Sequence, residues 1–420
     1  MATVPSEITS QSPSTPTPTK QKVRVVIVGG GFAGLEALRY FRGSAFSYTL
    51  IEKKQYHEFT PDIPEAITSP TLLRKISKPF SSCRVVDRCV FVKDIVRFDA
   101  VQKRVYYVKP EGGPEEFEEF DYCVLCTGAT YTSPIQAPSA STVAQRRESL
   151  DRFKKELVSA SLPILVIGGG HVGCEVAADI AIKCPDTQVI FATGNSGLLA
   201  NHSQWQVDYA TKCFEMLSNV VLYNERCKEV EEEGGGRRVF LLQKSDAKVE
   251  VDVVIQCTGF GKPNTRFLVD SEVRLNAQGK IEVDSETLAV KIGDNEENSE
   301  CIYAAGDCID KPSNHQMAMF AHFEGEFCAR QILRNSAGLP LRKFGVPPEK
   351  CFALSLGPRD GFISLLGYTV MWGRVVPLAK RLVRWGWFSV VPWLPKYPLW
   401  IDSKRKVPTR NDADKNKAMV

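Results

Sequence analysis

Residues 23–41 read VRVVIVGGGFAGLEALRYF, and the β-branched run that follows them ends at Glu52. The stretch joins a strand of valine and isoleucine to a helical pattern through glycines at positions 29, 31 and 34. In such a unit Gly29 permits a tight turn, Gly31 lets a phosphate approach the backbone, and Gly34 lets helix and strand pack closely. Glu52 stands where an acid accepts hydrogen bonds from a ribose. The spacing therefore predicts a dinucleotide-binding fold.

A second copy of this pattern occupies residues 162–183, LPILVIGGGHVGCEVAADIAIK, with Gly168, Gly170 and Gly173 at the same spacing. The two copies lie about 140 residues apart. One such fold indicates a dehydrogenase. Two favour a flavoprotein that holds FAD and a nicotinamide dinucleotide face to face.

Three further strands end in short polar signatures. These are Thr127-Gly128, Thr258-Gly259 and Gly306-Asp307. With them the sequence resembles the two-dinucleotide-binding flavoprotein superfamily. The resemblance implies FAD as cofactor and NADH or NADPH as co-substrate, with Asp307 on the flavin ribityl chain. A turn or helix-capping role for Asp307 stays open.

The predicted fold is α/β, with two Rossmann-like domains for FAD and NAD(P)H and a small C-terminal module that carries a membrane-surface segment. Residues 23–156 and 265–343 are expected to form a discontinuous FAD-binding domain around an NAD(P)H-binding domain of residues 157–264. Residues 344–420 form the C-terminal module. Residues 1–22, rich in Ser, Thr and Pro, are predicted to be a disordered arm.

Two stretches narrow the resemblance. YHEFTPDIPEA, residues 56–66, resembles a region of type II NADH dehydrogenases, which pass electrons from NADH to quinone without pumping protons. FALSLGPRDGFISLLGYTVMWGR, residues 352–374, resembles the C-terminal segment of the ferroptosis suppressor and apoptosis-inducing-factor-like branch. The resemblance implies an FAD-dependent NAD(P)H:quinone oxidoreductase that transfers hydride to the flavin and two electrons to a lipophilic, ubiquinone-like quinone.

The same resemblance assigns roles to individual residues. Glu175 matches a glutamate that faces nicotinamide and flavin, and Gln316 and Phe320 lie in a segment that lines the flavin and quinone pocket. His322 is a candidate proton or hydrogen-bond donor there. For Glu175 the alternative is a carboxylate favoured by the helix dipole, and for His322 it is packing between helices. No metal site is predicted.

Thirteen cysteines at irregular spacings read as reduced thiols, which indicates a reducing compartment. Cys123 and Cys126 have CxxC spacing but lie in an apolar strand, so structural thiols are expected. Cys301, Cys308 and Cys351 keep a sulfide:quinone alternative open.

The strand TQVIFATGNS, residues 187–196, ends in Ala192 and Thr193, where NAD-specific folds place an acid. No arginine follows that would attract a 2′-phosphate. The sequence therefore predicts that both NADH and NADPH are used.

Residues 372–394, WGRVVPLAKRLVRWGWFSVVPWL, hold four of the six tryptophans and no acid. Residues 367–420 carry a formal charge of +8 against −4 for the rest. On a helical wheel Lys380, Arg381 and Arg384 share one arc opposite a broad Trp/Leu face. We expect a helix from about Pro377 and a membrane-surface segment over 375–400, with the cations reaching lipid phosphates.

This places the protein at a membrane surface, on the cytoplasmic face, with the organelle undecided. Packing of the tail on the flavin domain and a homodimer contact stay open, and nucleic acid is the less favoured partner. The alternative function is an NAD(P)H oxidase or redox sensor of the apoptosis-inducing-factor type, with a basic tail that binds nucleic acid or protein.

Overall fold

The computed structural model describes residues 22–390 apart from 42–44, 84, 87, 138, 195, 231–237, 260, 295–296, 312–315 and 346–349. Nearly all of the predicted disordered arm, and Trp393 and Trp400 of the predicted membrane segment, lie outside the described residues. Within the described residues, no helix has the length and apolar character needed to span a bilayer.

The helices and strands follow in chain order. The first part contains β1 Val23–Val28, α1 Phe32–Leu38, β2 Phe46–Glu52, β3 Tyr56–Glu58, α2 Ile63–Thr68, α3 Leu73–Ile76, β4 Ser77–Pro79, β5 Cys89–Phe91, β6 Asp94–Asp99, β7 Arg104–Val108, β8 Glu116–Glu119, β9 Tyr122–Leu125, β10 Ala129–Thr130 and α4 Val143–Ser159. The middle part contains β11 Ile164–Ile167, α5 His171–Lys183, β12 Val189–Ala192, α6 Gln204–Glu215, β13 Val220–Tyr223, β14 Cys227–Val230, β15 Arg238–Leu242, β16 Lys248–Val251 and β17 Val253–Gln256. The last part contains β18 Lys262–Pro263, β19 Ala289–Ile292, β20 Glu297–Ala304, α7 Ala318–Ser336, β21 Phe352–Ser355, β22 Gly361–Leu365, β23 Tyr368–Trp372 and α8 Val375–Val390. Short 3₁₀ turns occupy Thr60–Asp62, Pro70–Leu72, Phe80–Ser82 and Arg266–Leu268.

The first glycine turn belongs to a sheet with the strand order β19-β20-β9-β1-β2-β5. Strand β1 pairs in parallel with β2 and β9, and β20 joins β9 in parallel from late in the chain. Both faces of β1 are covered, since Val25 to Val28 are at most 2% exposed. Such burial on two faces explains the unbroken run of valine and isoleucine. Helix α1 follows β1 and packs along α7.

The second glycine turn belongs to a parallel sheet with the order β13-β12-β11-β17. Helix α5 follows β11 as α1 follows β1. Antiparallel sheets β6-β7-β8 and β14-β15-β16 and the pair β10-β18 complete these two parts of the chain. The carboxyl ends of β1 and β11, where parallel sheets bind ligands, carry the glycine turns.

The last elements of the described residues are an antiparallel sheet, β21-β22-β23, and α8, which packs on it. Helix α8 starts at Val375, two residues before the expected Pro377. Val376 anchors it with no exposed surface. The predicted α/β fold, with two Rossmann-like units and a small C-terminal module, is confirmed.

Candidate active site

Residues of both glycine turns and of the C-terminal module line one large cavity of about 2600 Å³. Its wall includes many of the predicted site residues: Gly29, Gly31, Glu52, Thr127, Gly128, Gly170, Glu175, Gly259, Gly306, Asp307, Gln316 and His322. Residues from distant parts of the chain therefore share one space that is large enough for extended ligands.

The first glycine turn needs glycine for steric reasons at two positions. A methyl group on Gly29 would lie 2.3 Å from the carbonyl oxygen of Cys126, and one on Gly34 would lie 1.9 Å from the carbonyl oxygen of Gly29. A methyl group on Gly31 would meet no atom within 4 Å. The turn is thus closed toward the protein and open at Gly31, as a phosphate cradle requires.

Glu52 is fixed by three backbone N–H groups. Its carboxylate accepts hydrogen bonds from Gly30 at 2.5 Å, Lys53 at 2.8 Å and Lys54 at 2.9 Å. Oε1 accepts two of these bonds and Oε2 one, so Oε2 keeps a lone pair that can accept a hydrogen bond from a ribose.

The second glycine turn repeats this geometry. Methyl groups on Gly168 and Gly173 would lie 2.4 Å from the carbonyl oxygen of Cys257 and 1.8 Å from that of Gly168, respectively. Gly170, at the start of α5, faces open space. The N-terminal end of α5 therefore offers its N–H groups and its positive dipole end to a pyrophosphate.

Asp307 and Gln316 share a partner that the sequence did not reveal. The hydroxyl of Tyr131 lies 2.9 Å from Oδ2 of Asp307 and 3.2 Å from Oε1 of Gln316. Burial raises the pKa of Tyr131 above its usual value, and the nearby Asp307 charge adds to this shift. The phenol therefore stays protonated and links the Gly306-Asp307 turn to the segment before α7. The only signal in the sequence was its place three residues after Gly128.

Glu175 lies in a buried cluster formed with the C-terminal module. Its Oε1 accepts the backbone N–H of Ser355 at 2.9 Å, the Ser355 hydroxyl at 3.0 Å and Lys380 Nζ at 2.5 Å. Burial opposes the charge of Lys380, but the attraction of Glu175 and Asp62 outweighs it and raises the pKa of Lys380. Glu175 is therefore more than a carboxylate at a helix end, because a charged partner from α8 reaches it.

The orientation predicted for two cations of α8, Lys380 and Arg384, is wrong. Arg384 lies 2.5 Å from Asp62 with 10% of its side chain exposed, and Lys380 contacts Glu175. Arg381 lies 3.7 Å from Glu65. Lys380 and Arg384 face acids of this protein instead of lipid phosphates, because buried carboxylates on α5 and beside α2 need positive partners, whereas 48% of the Arg381 side chain stays exposed.

Phe320 and His322 were both expected near the quinone, but only one of them lines the cavity. Phe320 is 1% exposed and is not part of the described cavity wall. His322 does line the cavity, and its Nδ1 lies 3.4 Å from Oε2 of Glu36 on α1. Burial lowers the pKa of His322 to about 4, so the ring is neutral at pH 7. His322 thus both packs between α1 and α7 and reaches the cavity.

Glu326 lies near Glu36 and His322 in the contact between α1 and α7. Arg39 lies 2.7 Å from Glu36, and Arg330 lies 2.7 Å from Glu326. Each of the two carboxylates therefore already has a guanidinium partner.

His57 is a further residue at this site that sequence reasoning missed. Its ring is 2% exposed and its Nδ1 lies 3.1 Å from the carbonyl oxygen of Gly30. Burial lowers its pKa to about 4. His57 therefore supports the first glycine turn as a neutral ring. Its place in the stretch of residues 56–66 was the available signal.

The cysteines of the CxxC pair are buried thiols. Cys123 and Cys126 are both free, and burial raises both pKa values well above the usual one. Cys308 is likewise buried in the core, whereas Cys351 lines the cavity. Thiols that are protonated at neutral pH are poor nucleophiles.

The residues present fit both cofactors. The open Gly31, the fixed Glu52 and the Asp307 turn would hold FAD, and the open Gly170 with α5 would hold NADH or NADPH near Glu175. Thr193 turns its hydroxyl to Asn224 at 2.8 Å and offers no charge to a 2′-phosphate.

Comparison with known proteins agrees with this geometry. Human ferroptosis suppressor protein 1 is 26% identical over 353 residues, which cover 83% of this chain and 90% of that protein. Apoptosis-inducing factor homolog B of Dictyostelium discoideum is 24% identical over 368 residues, 83% of this chain and 90% of its own length.

Two solved structures share the fold. NDH2 from Plasmodium falciparum in complex with NADH superposes with a TM-score of 0.68 at 14% identity, covering 88% of this chain and 95% of NDH2. The sulfide:quinone oxidoreductase from Aquifex aeolicus gives 0.68 at 15% identity, covering 88% of this chain and 91% of that one. The model of the pyridine nucleotide-disulphide oxidoreductase family matches residues 23–321. The chain is an FAD- and NAD(P)H-dependent oxidoreductase that belongs to the pyridine nucleotide-disulphide oxidoreductase family.

Proposed function

We propose that the protein is a non-proton-pumping NAD(P)H:quinone oxidoreductase that reduces a lipophilic, ubiquinone-like quinone at a membrane surface. The relatives support this proposal through their names, which include ferroptosis suppressor protein 1 and, among solved structures, a sulfide:quinone oxidoreductase. When bound, FAD would supply the redox chemistry, which is acceptance of a hydride from NAD(P)H and transfer of two electrons to the quinone.

The protein's own residues position the reactants. The two glycine turns line one cavity and would hold one nucleotide each, so that the reactive rings could meet there. The Glu175–Lys380 pair joins α5 to the C-terminal module and would present charged groups to a nicotinamide bound at the α5 turn. Tyr131 and Gln316 add neutral hydrogen-bonding groups to the cavity wall.

The observation that carries the proposal is the two-sided character of α8. Ala379, Lys380 and Val383 form part of the cavity wall. On the outer side, Leu378 is 57% exposed, Leu382 60% and Trp385 65%. A helix that is apolar outside and lines the active cavity inside offers a lipophilic substrate a route from bilayer to active site.

The apolar surface continues onto the neighbouring hairpin. Large apolar residues with exposed side chains on the β22–β23 hairpin are Leu365, Leu366, Tyr368, Val370, Met371 and Trp372, and Trp205 of α6 and Val375 of α8 are exposed as well. Trp205 and Trp372 contact each other edge to face with ring centroids 5.7 Å apart. A contiguous exposed patch with aromatic residues is typical of a membrane or partner surface.

The reaction is tested by anaerobic reduction with NADH, followed at the flavin absorbance near 450 nm, and then by addition of a short-chain ubiquinone. We expect rapid bleaching and rapid recovery on quinone addition. Recovery with oxygen but not with the quinone would favour an oxidase or redox sensor.

Membrane binding is tested by vesicle flotation of a Leu378→Ser/Leu382→Ser variant, which removes apolar groups from the outer side of α8 without touching its inner ion pairs. Val101→Ser is the matched control, because Val101 is 77% exposed on the turn between β6 and β7. We expect the double variant to lose most of its flotation and the control to keep it. Equal flotation of both variants would contradict the role of α8.

A further inference from the structure

A chain of polar side chains crosses the interface between α1 and α7. The carboxylate of Glu36 lies at its centre, 2.7 Å from Arg39 and 3.4 Å from the ring of His322. Glu326 lies 2.7 Å from Arg330 on the same helix as His322. The groups that face Glu36 from the two helices are Arg39, Tyr40, His322, Glu326 and Arg330.

The two ends of this chain have different surroundings. At one end the side chain of Arg330 is 37% exposed and that of Glu326 is 12% exposed, so water reaches them. At the other end His322 lines the cavity between the two nucleotide sites. Glu36 is 2% exposed, and ligand atoms of its carboxylate, of the His322 ring and of the Glu326 carboxylate lie within 4.8 Å of one another, so the cluster connects the two ends.

The protonation states suit proton transfer along this chain. Burial raises the pKa of Glu36 to about 7 against the opposing effect of Arg39, so the carboxyl group is partly protonated at neutral pH. A neutral His322 can accept a proton on Nδ1 and release the proton of its other ring nitrogen.

Quinone reduction requires a supply of protons. Reduction of a quinone to a quinol takes up two electrons and two protons. The hydride of NAD(P)H brings both electrons and one proton, and the second proton must come from water. Where bound nucleotides and quinone displace water from the cavity, side chains that conduct protons would supply it.

We propose that Glu36 and His322 form a proton path from solvent to the quinone. The Glu36 carboxyl group gives its proton to His322 Nδ1 as the other ring nitrogen gives one toward the quinone oxygen. The tautomer then resets and Glu36 takes up a proton from water. This inference rests on the proposed quinone reductase function, and Glu36 acts through His322 as a positioning and proton-conducting residue.

The test compares two electron acceptors in the FAD-loaded protein. A short-chain ubiquinone needs protons and ferricyanide does not, so the ratio of the two rates isolates proton delivery. We expect Glu36→Gln to lower this ratio about tenfold or more at pH 7, and His322→Gln to act in the same direction. Glu286→Gln is the matched control, because Glu286 is exposed and pairs with Lys343 at the surface.

A second readout is independent of turnover. Infrared titration of the resting protein should show a protonated carboxyl band that disappears with a midpoint near pH 7 and is absent from Glu36→Gln. If that variant does not fold, His322→Gln and the titration of the native protein still decide the question. A ratio within twofold of the native value in the His322 and Glu36 variants, or no band titrating near neutral pH, overturns the path. A native protein that reduces ferricyanide but not the quinone overturns the proposed function and this inference with it.

Discussion

Replacement of Lys380 by methionine should destabilise the protein and should do so through Glu175. Lys380 Nζ lies 2.5 Å from the Glu175 carboxylate, and the two side chains are 15% and 8% exposed. Removal of one partner of a buried pair costs about 3–5 kcal/mol, because the other charge stays buried. The Ser355 N–H and hydroxyl still hydrogen-bond Glu175 at 2.9 and 3.0 Å. We therefore expect the loss of unfolding free energy to lie at the lower end of this range, about 3 kcal/mol.

The assay is a double-mutant cycle with Lys380→Met, Glu175→Gln and the combined variant. Denaturant unfolding of the FAD-loaded protein is followed by circular dichroism and flavin fluorescence. The combined variant buries no uncompensated charge and should be no less stable than either single variant. The two substitutions should therefore show a coupling energy of about 3 kcal/mol. The exposed Lys343–Glu286 pair, at 2.8 Å, serves as control and should show negligible coupling. Additive losses for Lys380 and Glu175 would refute the reasoning.

Three further predictions follow from the same geometry. Gly34→Ala should destabilise the apoprotein and prevent FAD binding, since its methyl group would lie 1.9 Å from a backbone oxygen, whereas Gly31→Ala should lose FAD but leave the apoprotein as stable as the native one; equal thermal unfolding temperatures of the two apoproteins would contradict this. His57 has its pKa lowered by burial from 6.5 to about 4, so the unfolded chain binds the extra proton between these values and acidification across them costs about 3 kcal/mol. His57→Gln should therefore lose less unfolding free energy between pH 6.5 and 4 than the native protein, and an unchanged pH dependence would exclude this role. The kcat/KM values for NADH and NADPH should differ by less than about a hundredfold, about 2.7 kcal/mol, because Thr193 neither repels nor attracts a 2′-phosphate.

The sequence predicted the parts of the site that depend on local geometry. The turns at Gly29 and Gly168 follow from glycine spacing between a strand and a helix, and a close backbone contact forces that choice at each one. Glu52 follows in the same way, since it ends the strand that pairs with β1. The residues of each motif lie within about thirty positions of each other, so the motif is visible in sequence, although the backbone contacts that force glycine come from Cys126 and Cys257, much later in the chain.

Contacts between distant segments were not predictable. Tyr131 meets Gln316 across 185 positions, and Lys380 meets Glu175 across 205. A helical wheel reveals that the cations of α8 share one face, but it does not reveal which face is buried. Because the carboxylates of Asp62 and Glu175 lie under α8, the face that carries Lys380 and Arg384 is the inner one.

The inward orientation of these cations changes how the protein should bind membranes. An interfacial helix that reaches lipid phosphates depends on anionic lipid and weakens with salt. In α8, Lys380 and Arg384 are already neutralised by carboxylates, and the outer residues are leucine, valine and tryptophan. We therefore expect a chain ending at residue 390 to bind neutral phosphatidylcholine vesicles nearly as well as anionic ones, with little effect of salt between 50 and 500 mM. The full chain adds basic residues beyond position 390 and should gain a salt-sensitive part on anionic vesicles only. Flotation of both proteins on both vesicle types separates the two contributions. If the shorter chain binds only anionic vesicles, an exposed cation such as Arg381, whose side chain is 48% exposed, contributes to binding, and the apolar outer side of α8 is not sufficient for it.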